Sequence, residues 1–265
     1  MQIRPLVLSV LLLAFQSPPA SPPAATNAQG VALLQKALAA LAPSVALQDV
    51  TLIGSARRVA GSDDETGTVT IKAAHGQGYR MDLSLPSGSR SEIANTSSPV
   101  LVGSWSGPDG TSHATAYHNL IGAPSWSPTL AVASWLSAPN AVVTYVGTET
   151  RDGQYVLHLC ASQSFPSEAG QTAMLMQHLT QVDIFLDPAT NLLVAFAFNM
   201  HPDNAGNIDI PAEMRFSDYR LVTGAQIPFR IQKFINNSLV LDLQITSAAV
   251  NSHLPPSTFS VGAGL

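Results

Sequence analysis

Charge is what this sequence has least of. Only 11% of its 265 residues are Asp, Glu, Lys or Arg, where a soluble domain carries about 25%. The 12 basic and 17 acidic residues leave a formal net charge of −5. That argues against a nucleic-acid partner, because neutralising phosphates takes clustered Lys and Arg. No polybasic run offers docking on anionic lipid either. Cysteine is nearly absent: Cys160 stands alone, so no internal disulfide can form in any compartment. It ends the strand-like run Tyr155-Val156-Leu157-His158-Leu159-Cys160 and reads as a small buried hydrophobe. A catalytic thiol would need an electropositive setting, and only His158 is near it. Phosphate-cradling glycine motifs are missing too, since neither GxGxxG nor GxxxxGK[ST] occurs.

Long apolar runs are equally scarce, with one exception. Leu6 to Phe15 (LVLSVLLLAF) follows a short n-region carrying Arg4 and precedes a Ser/Pro/Ala-rich spacer to Ala28. At about ten residues it is half the length that spans a bilayer, so it reads as the core of a cleavable signal peptide. Cleavage after Ala20, Ala25 or Ala28 is compatible with the small residues there. No Cys follows the run, so the acylated anchor of a lipoprotein is not expected. Residues 1–28 are thus read as leader and spacer, and 29–265 as a single domain that is secreted or periplasmic, monomeric and without a stable membrane anchor.

After the spacer, Val31 to Leu41 (VALLQKALAAL) predicts a helix capped by Asn27, ended by Pro43 and buried along much of its surface. From Leu47 the period changes to two. Runs such as Thr66 to Ala73 and Tyr79 to Leu85 alternate as half-buried strands, with turn signals every ten or so residues. Asp63-Asp64-Glu65 reads as a charged turn, and Trp105 to Ser112 as a turn-rich loop. Short helices are expected at Ala116 to Leu120, at Pro128 to Leu136 with Pro128 in its first turn, and at Gly170 to His178. The C-terminal third is again a meander, its first hairpin turning at Asp187 to Asn191. The expected fold class is mainly β (α+β): an open antiparallel half-barrel with an N-terminal helix and short helices covering its mouth.

Catalytic constellations do not emerge. Gly103-Ser104-Trp105-Ser106-Gly107 places Trp where a nucleophile elbow needs Ser. The seven His residues show neither the i, i+4 spacing of a helical metal pair nor a Cys/His zinc pattern. His201 to Asp209 has oxygen donors around Gly206, but Ala205 and the missing terminal Glu break the alternate-ligand pattern of a calcium loop. A long polar hairpin loop explains that segment. No catalytic residue, metal or cofactor is expected.

What the sequence does have is apolar surface on a long sheet and on several helices. The helices either complete a packed core or roof a cavity fit for an acyl chain, and the residues alone leave both open. Several segments resemble the LolA/LolB-like proteins of the bacterial envelope. These are Asp49 to Gly54 after an Ala/Leu helix, Gly78-Tyr79-Arg80-Met81-Asp82, Val182 to Thr190, Phe216 to Phe229, and Ile245 to Asn251 leading to Phe259. The stretch from about Asn95 to Ser167 departs from that pattern. The resemblance implies an open β-barrel with a helical lid that binds a lipid or an acylated protein without turnover. The expected lining of cavity and lid is Leu34, Leu38, Tyr79, Met81, Trp126, Trp135, Phe185, Phe196 and Phe229. The alternative is a non-catalytic envelope module of the same fold that senses or binds another protein.

Overall fold

The computed structural model describes residues 27–97 and 101–262, so nearly all of the expected leader lies outside the described residues. The chain opens with α1 (Ala28–Leu41) and continues into β1 (Asp49–Ala60), β2 (Asp63–Ala74), β3 (Gly78–Leu85) and β4 (Gly88–Asn95). Then come β5 (Val102–Ser106), β6 (Ser112–Ala114), α2 (Tyr117–Gly122) and α3 (Pro128–Ser137). Strands β7 (Ala141–Arg151) and β8 (Gln154–Gln163) precede α4 (Gly170–Leu179). The remainder is β9 (Val182–Leu186), β10 (Leu193–Met200), β11 (Ile210–Val222), β12 (Ala225–Ile235) and β13 (Ser238–Val250).

All thirteen strands form one antiparallel sheet in the order β6-β5-β4-β3-β2-β1-β13-β12-β11-β10-β9-β8-β7. Every neighbour is a sequence neighbour except β1 and β13, whose pairing joins the two meanders. The sheet stays open between β6 and β7, and these two strands are consecutive in the chain. Helices α2 and α3 are therefore the connection that crosses the open seam. The expected half-barrel with helices at its mouth is what the topology delivers.

The helices form where the local chemistry favours them. The Asn27 side chain accepts the Gly30 N–H at 2.6 Å and so caps α1. Ser127 caps α3 in the same way, with Pro128 in the first turn where its missing N–H costs nothing. On α1 only the stripe Gly30, Leu34, Ala37 and Leu41 is buried, facing α3, β7 and β12. The helix is thus less buried than expected, because alanines such as Ala32 and Ala39 face outward and contribute helix propensity rather than core volume.

Two further expectations are corrected. Asp63, Asp64 and Glu65 lie in β2, and the turn is Gly61-Ser62. Arg57 and Arg58 on the facing strand pair with the last two, with Arg57 Nη2 at 2.6 Å from Asp64 and Arg58 Nη1 at 3.7 Å from Glu65. Trp105 belongs to β5, and the loop between β5 and β6 is confined to residues 107–111. The principal core joins the inner faces of the strands to α1 and α3, while Val156, Phe185 and Ala195 form a small separate cluster.

Candidate functional site

Alternation along each strand sends one set of side chains to the face that α2 and α3 cover. Leu120 of α2 can settle against β5 because Gly103 opposite it has no side chain: a Cβ there would lie 2.4 Å from Leu120 Cδ2. Asn119 anchors the same helix to the end of β10. Its Nδ2 donates to the His201 carbonyl at 2.8 Å and its Oδ1 accepts the His201 N–H at 2.9 Å.

Between these elements the packing leaves a cavity of about 290 Å³, close to the smallest ligand pockets, which begin near 300 Å³. Tyr79, Leu120, Trp126, Phe198, Met200 and Met214 supply most of its apolar wall, with Glu92, Asp203 and Lys233 among the polar contributors. A second cavity of about 280 Å³ lies under α3, between Trp135, Leu130 and Ala94. The two share Tyr79, Leu120, Ala123 and Pro124 as a common partition. A third, shallower groove of about 600 Å³ runs between α1 and α3 past Leu38 and Leu136.

Three groups set the electrostatics of the first cavity. The Tyr79 hydroxyl donates to Glu92 Oε1 at 2.5 Å. Burial, followed by the Glu92 charge and this hydrogen bond, pushes the phenol well above its ordinary pKa, so Tyr79 stays a neutral donor. Lys233 places its ammonium 5.7 Å from the centre of the Trp126 ring. Trp126 itself is only 2% exposed.

The nine expected lining residues divide by position. Tyr79 borders both cavities, Trp126 the first, Trp135 the second, and Leu38 the outer groove. Leu34, Met81, Phe196 and Phe229 are packed into the principal core and border none of these spaces. Phe196 meets Phe216 edge-on at 5.5 Å, and the Arg220 guanidinium lies 4.2 Å over Phe229. Phe185 belongs to the small separate cluster, between His158 at 4.7 Å and the Arg151 guanidinium at 3.9 Å. It is the neighbouring Ile184 and Leu186 that join the principal core. Leu120, Met214 and Lys233 were not anticipated. Lys233 was nonetheless visible as the charged member of the series Ala225, Ile227, Phe229, Ile231, Lys233.

The segments weighed for chemistry resolve into structural roles. Cys160 is half-buried, and burial with the nearby Asp183 carboxylate pushes its thiol up to about 12, away from nucleophilic use. In the His201–Asp209 loop, the Asp209 carboxylate meets His178 Nε2 at 2.9 Å, and His201 Nδ1 bonds the Ile208 carbonyl at 3.0 Å. Trp105, at the failed nucleophile position, stacks on His113 at 4.3 Å. Among the described residues no group of three His, Cys, Asp or Glu is placed to hold a metal ion. No helix among them is long and apolar enough to cross a membrane.

An open sheet with a helix-covered, apolar inner face defines a class of fold before any comparison. Solved structures place the chain within it. A LolA superfamily protein from Nitrosomonas europaea is similar over 88% of this chain and 97% of its own, at TM-score 0.54 and 12% identity. A DUF1329 family protein from Desulfovibrio piger is similar over 88% of this chain and 96% of its own, at TM-score 0.57 and 9% identity. The chain has a LolA-like fold, in agreement with the resemblance drawn from its strand and turn segments. No family model matches the chain. No curated protein matches it either.

Proposed function

We propose that this chain is an exported, non-catalytic carrier that holds a lipid or the acyl chain of a modified protein beneath α2 and α3. The observation that carries the reading is the pair of largely apolar cavities, about 290 and 280 Å³, that share Tyr79, Leu120, Ala123 and Pro124 in their walls. Chain burial there would drive binding, at about 0.8 kcal/mol for each methylene removed from water. The LolA-like fold supports the reading, as does the leader-like run Leu6 to Phe15 ahead of a single domain at 29–265. Release into the envelope would follow leader cleavage.

Mass spectrometry of an organic extract from the purified protein, with displacement of a bound fluorescent fatty acid, tests this. A co-purifying lipid and saturable displacement are expected. A protein that carries no lipid and shows no saturable displacement refutes it. One observation favours the second reading, a protein-binding module: Tyr117 of α2 and Met174 and Leu175 of α4 are exposed on two helices in contact. Crosslinking in the envelope that depends on Met174 and Leu175, in a protein free of lipid, would support that reading instead.

A further inference from the structure

We propose that the cavity beneath α2 selects an anion-headed amphiphile and that Lys233 recognises the head, an inference that rests on the carrier reading above. Strand β12 faces inward with Ala225, Ile227, Phe229 and Ile231, all buried. The next residue in that series is Lys233, at a position where alternation calls for a hydrophobe. Its cross-strand neighbours, Met214 on β11 and Leu241 on β13, are buried and apolar. The contact defined for its ammonium is the Trp126 ring, 5.7 Å away.

The one cation on the other face of the same strand is treated differently. Arg230 meets Asp242 at 2.9 Å, and Gln232 adds a hydrogen bond to that carboxylate. Among the described residues no carboxylate lies within ion-pair distance of Lys233. Of the two acids that border the cavity, Glu92 already accepts the Tyr79 hydroxyl, and Asp203 stands on the exposed rim. The half-buried Lys233 side chain thus brings an ammonium to the cavity wall that leans on the Trp126 face and has no carboxylate partner among the described residues, leaving it free to pair with an anion. Most of the cavity wall is suited to a hydrocarbon chain, and a ligand lying along it with an anionic head would bring that head to this unpaired ammonium. A carboxylate and a phosphate monoester share the chemistry required, an oxyanion that accepts a charge-assisted hydrogen bond from the ammonium.

The test is displacement of the neutral probe N-phenyl-1-naphthylamine by four twelve-carbon ligands: dodecanoate, dodecyl phosphate, dodecanol and dodecyltrimethylammonium. A charge-assisted hydrogen bond predicts that the wild-type protein prefers an anionic head over the alcohol by roughly tenfold to a hundredfold. Lys233→Met should reduce that preference to near unity while dodecanol binds as before, and Lys233→Arg should keep it. Preference for dodecanoate over dodecyl phosphate assigns a fatty acid, and the reverse order assigns a lipid with a phosphate monoester head. Equal binding of the four ligands by the wild type, or an anion preference that survives Lys233→Met, overturns the role of Lys233 and leaves the carrier reading standing. Failure of the wild type to bind the probe or any of the four overturns both.

Discussion

The partition between the two cavities can be probed by adding a single methyl group. In Gly103→Ala the new Cβ would lie 2.4 Å from Leu120 Cδ2 and 2.9 Å from the Ile93 carbonyl oxygen. Carbon atoms pack at about 3.5–4.0 Å, so Leu120 must retreat by about 1 Å into space the cavities now occupy. Overpacking of this kind costs about 1–3 kcal/mol. For a chain of this size that corresponds to a fall in Tm of about 2–12 °C. Leu120→Ala alone should cost about 2–3 kcal/mol, low for a leucine truncation because space already flanks the side chain. The double variant is the decisive measurement. With the Leu120 methyls gone the main clash disappears, and only the Ile93 carbonyl still opposes the new Cβ. Gly103→Ala should then cost about 1–2 kcal/mol less in the Leu120→Ala background than in the wild type. Urea unfolding followed by circular dichroism gives all four corners of the cycle. Additivity within 0.5 kcal/mol, the size expected of independent sites, would refute the packing relation between β5 and α2.

Three other outcomes follow from groups already described. Phe196→Ala removes a fully buried ring that meets Phe216 edge-on and should destabilise the fold by about 3–5 kcal/mol in the same urea assay, without a change at the cavity wall. Cys160, its thiol pushed up to about 12, is thiolate in only about one molecule in ten thousand at pH 8; folded protein should resist Ellman's reagent there and react fully in denaturant. At Asp187, partial burial raises the carboxyl pKa, but hydrogen bonds from the Thr190 and Ala189 amides and the Thr190 hydroxyl outweigh it and leave a net depression. Its contribution is therefore present above the unfolded value near pH 4 and lost as pH falls through the lower folded value. Asp187→Ala should cost about 1 kcal/mol at pH 7 and less near pH 2. An equal cost at both pH values would contradict this account.

Period-two alternation was enough to read most of the sheet, because each hairpin carries its own turn and its own apolar face. The reading failed where local signals were ambiguous. In β9, Val182, Ile184, Phe185 and Leu186 are all buried, so alternation could not say which side Phe185 takes. The acidic run at 63–65 looked like a turn because its partners Arg57 and Arg58 are recognisable only once the hairpin register is known. The cavities themselves were less legible still. They depend on how far α2 sinks toward Gly103 and on where Trp126 meets Lys233, contacts between segments far apart in sequence. Lys233 is the exception, a charge at an inward position of an otherwise regular strand.

The cap of α1 also bears on maturation. Asn27 donates its own N–H to the Val143 carbonyl at 3.0 Å, and its side chain accepts the Tyr145 N–H at 3.2 Å as well as that of Gly30. A peptidase that trimmed the proposed leader after Ala28 would strip away this residue, uncapping the helix at a cost of about 1 kcal/mol and unfastening it from β7. Cutting after Ala20 or Ala25 spares all three bonds. The new N-terminus would then begin one or several residues ahead of a clasp that ties it to one border of the open seam.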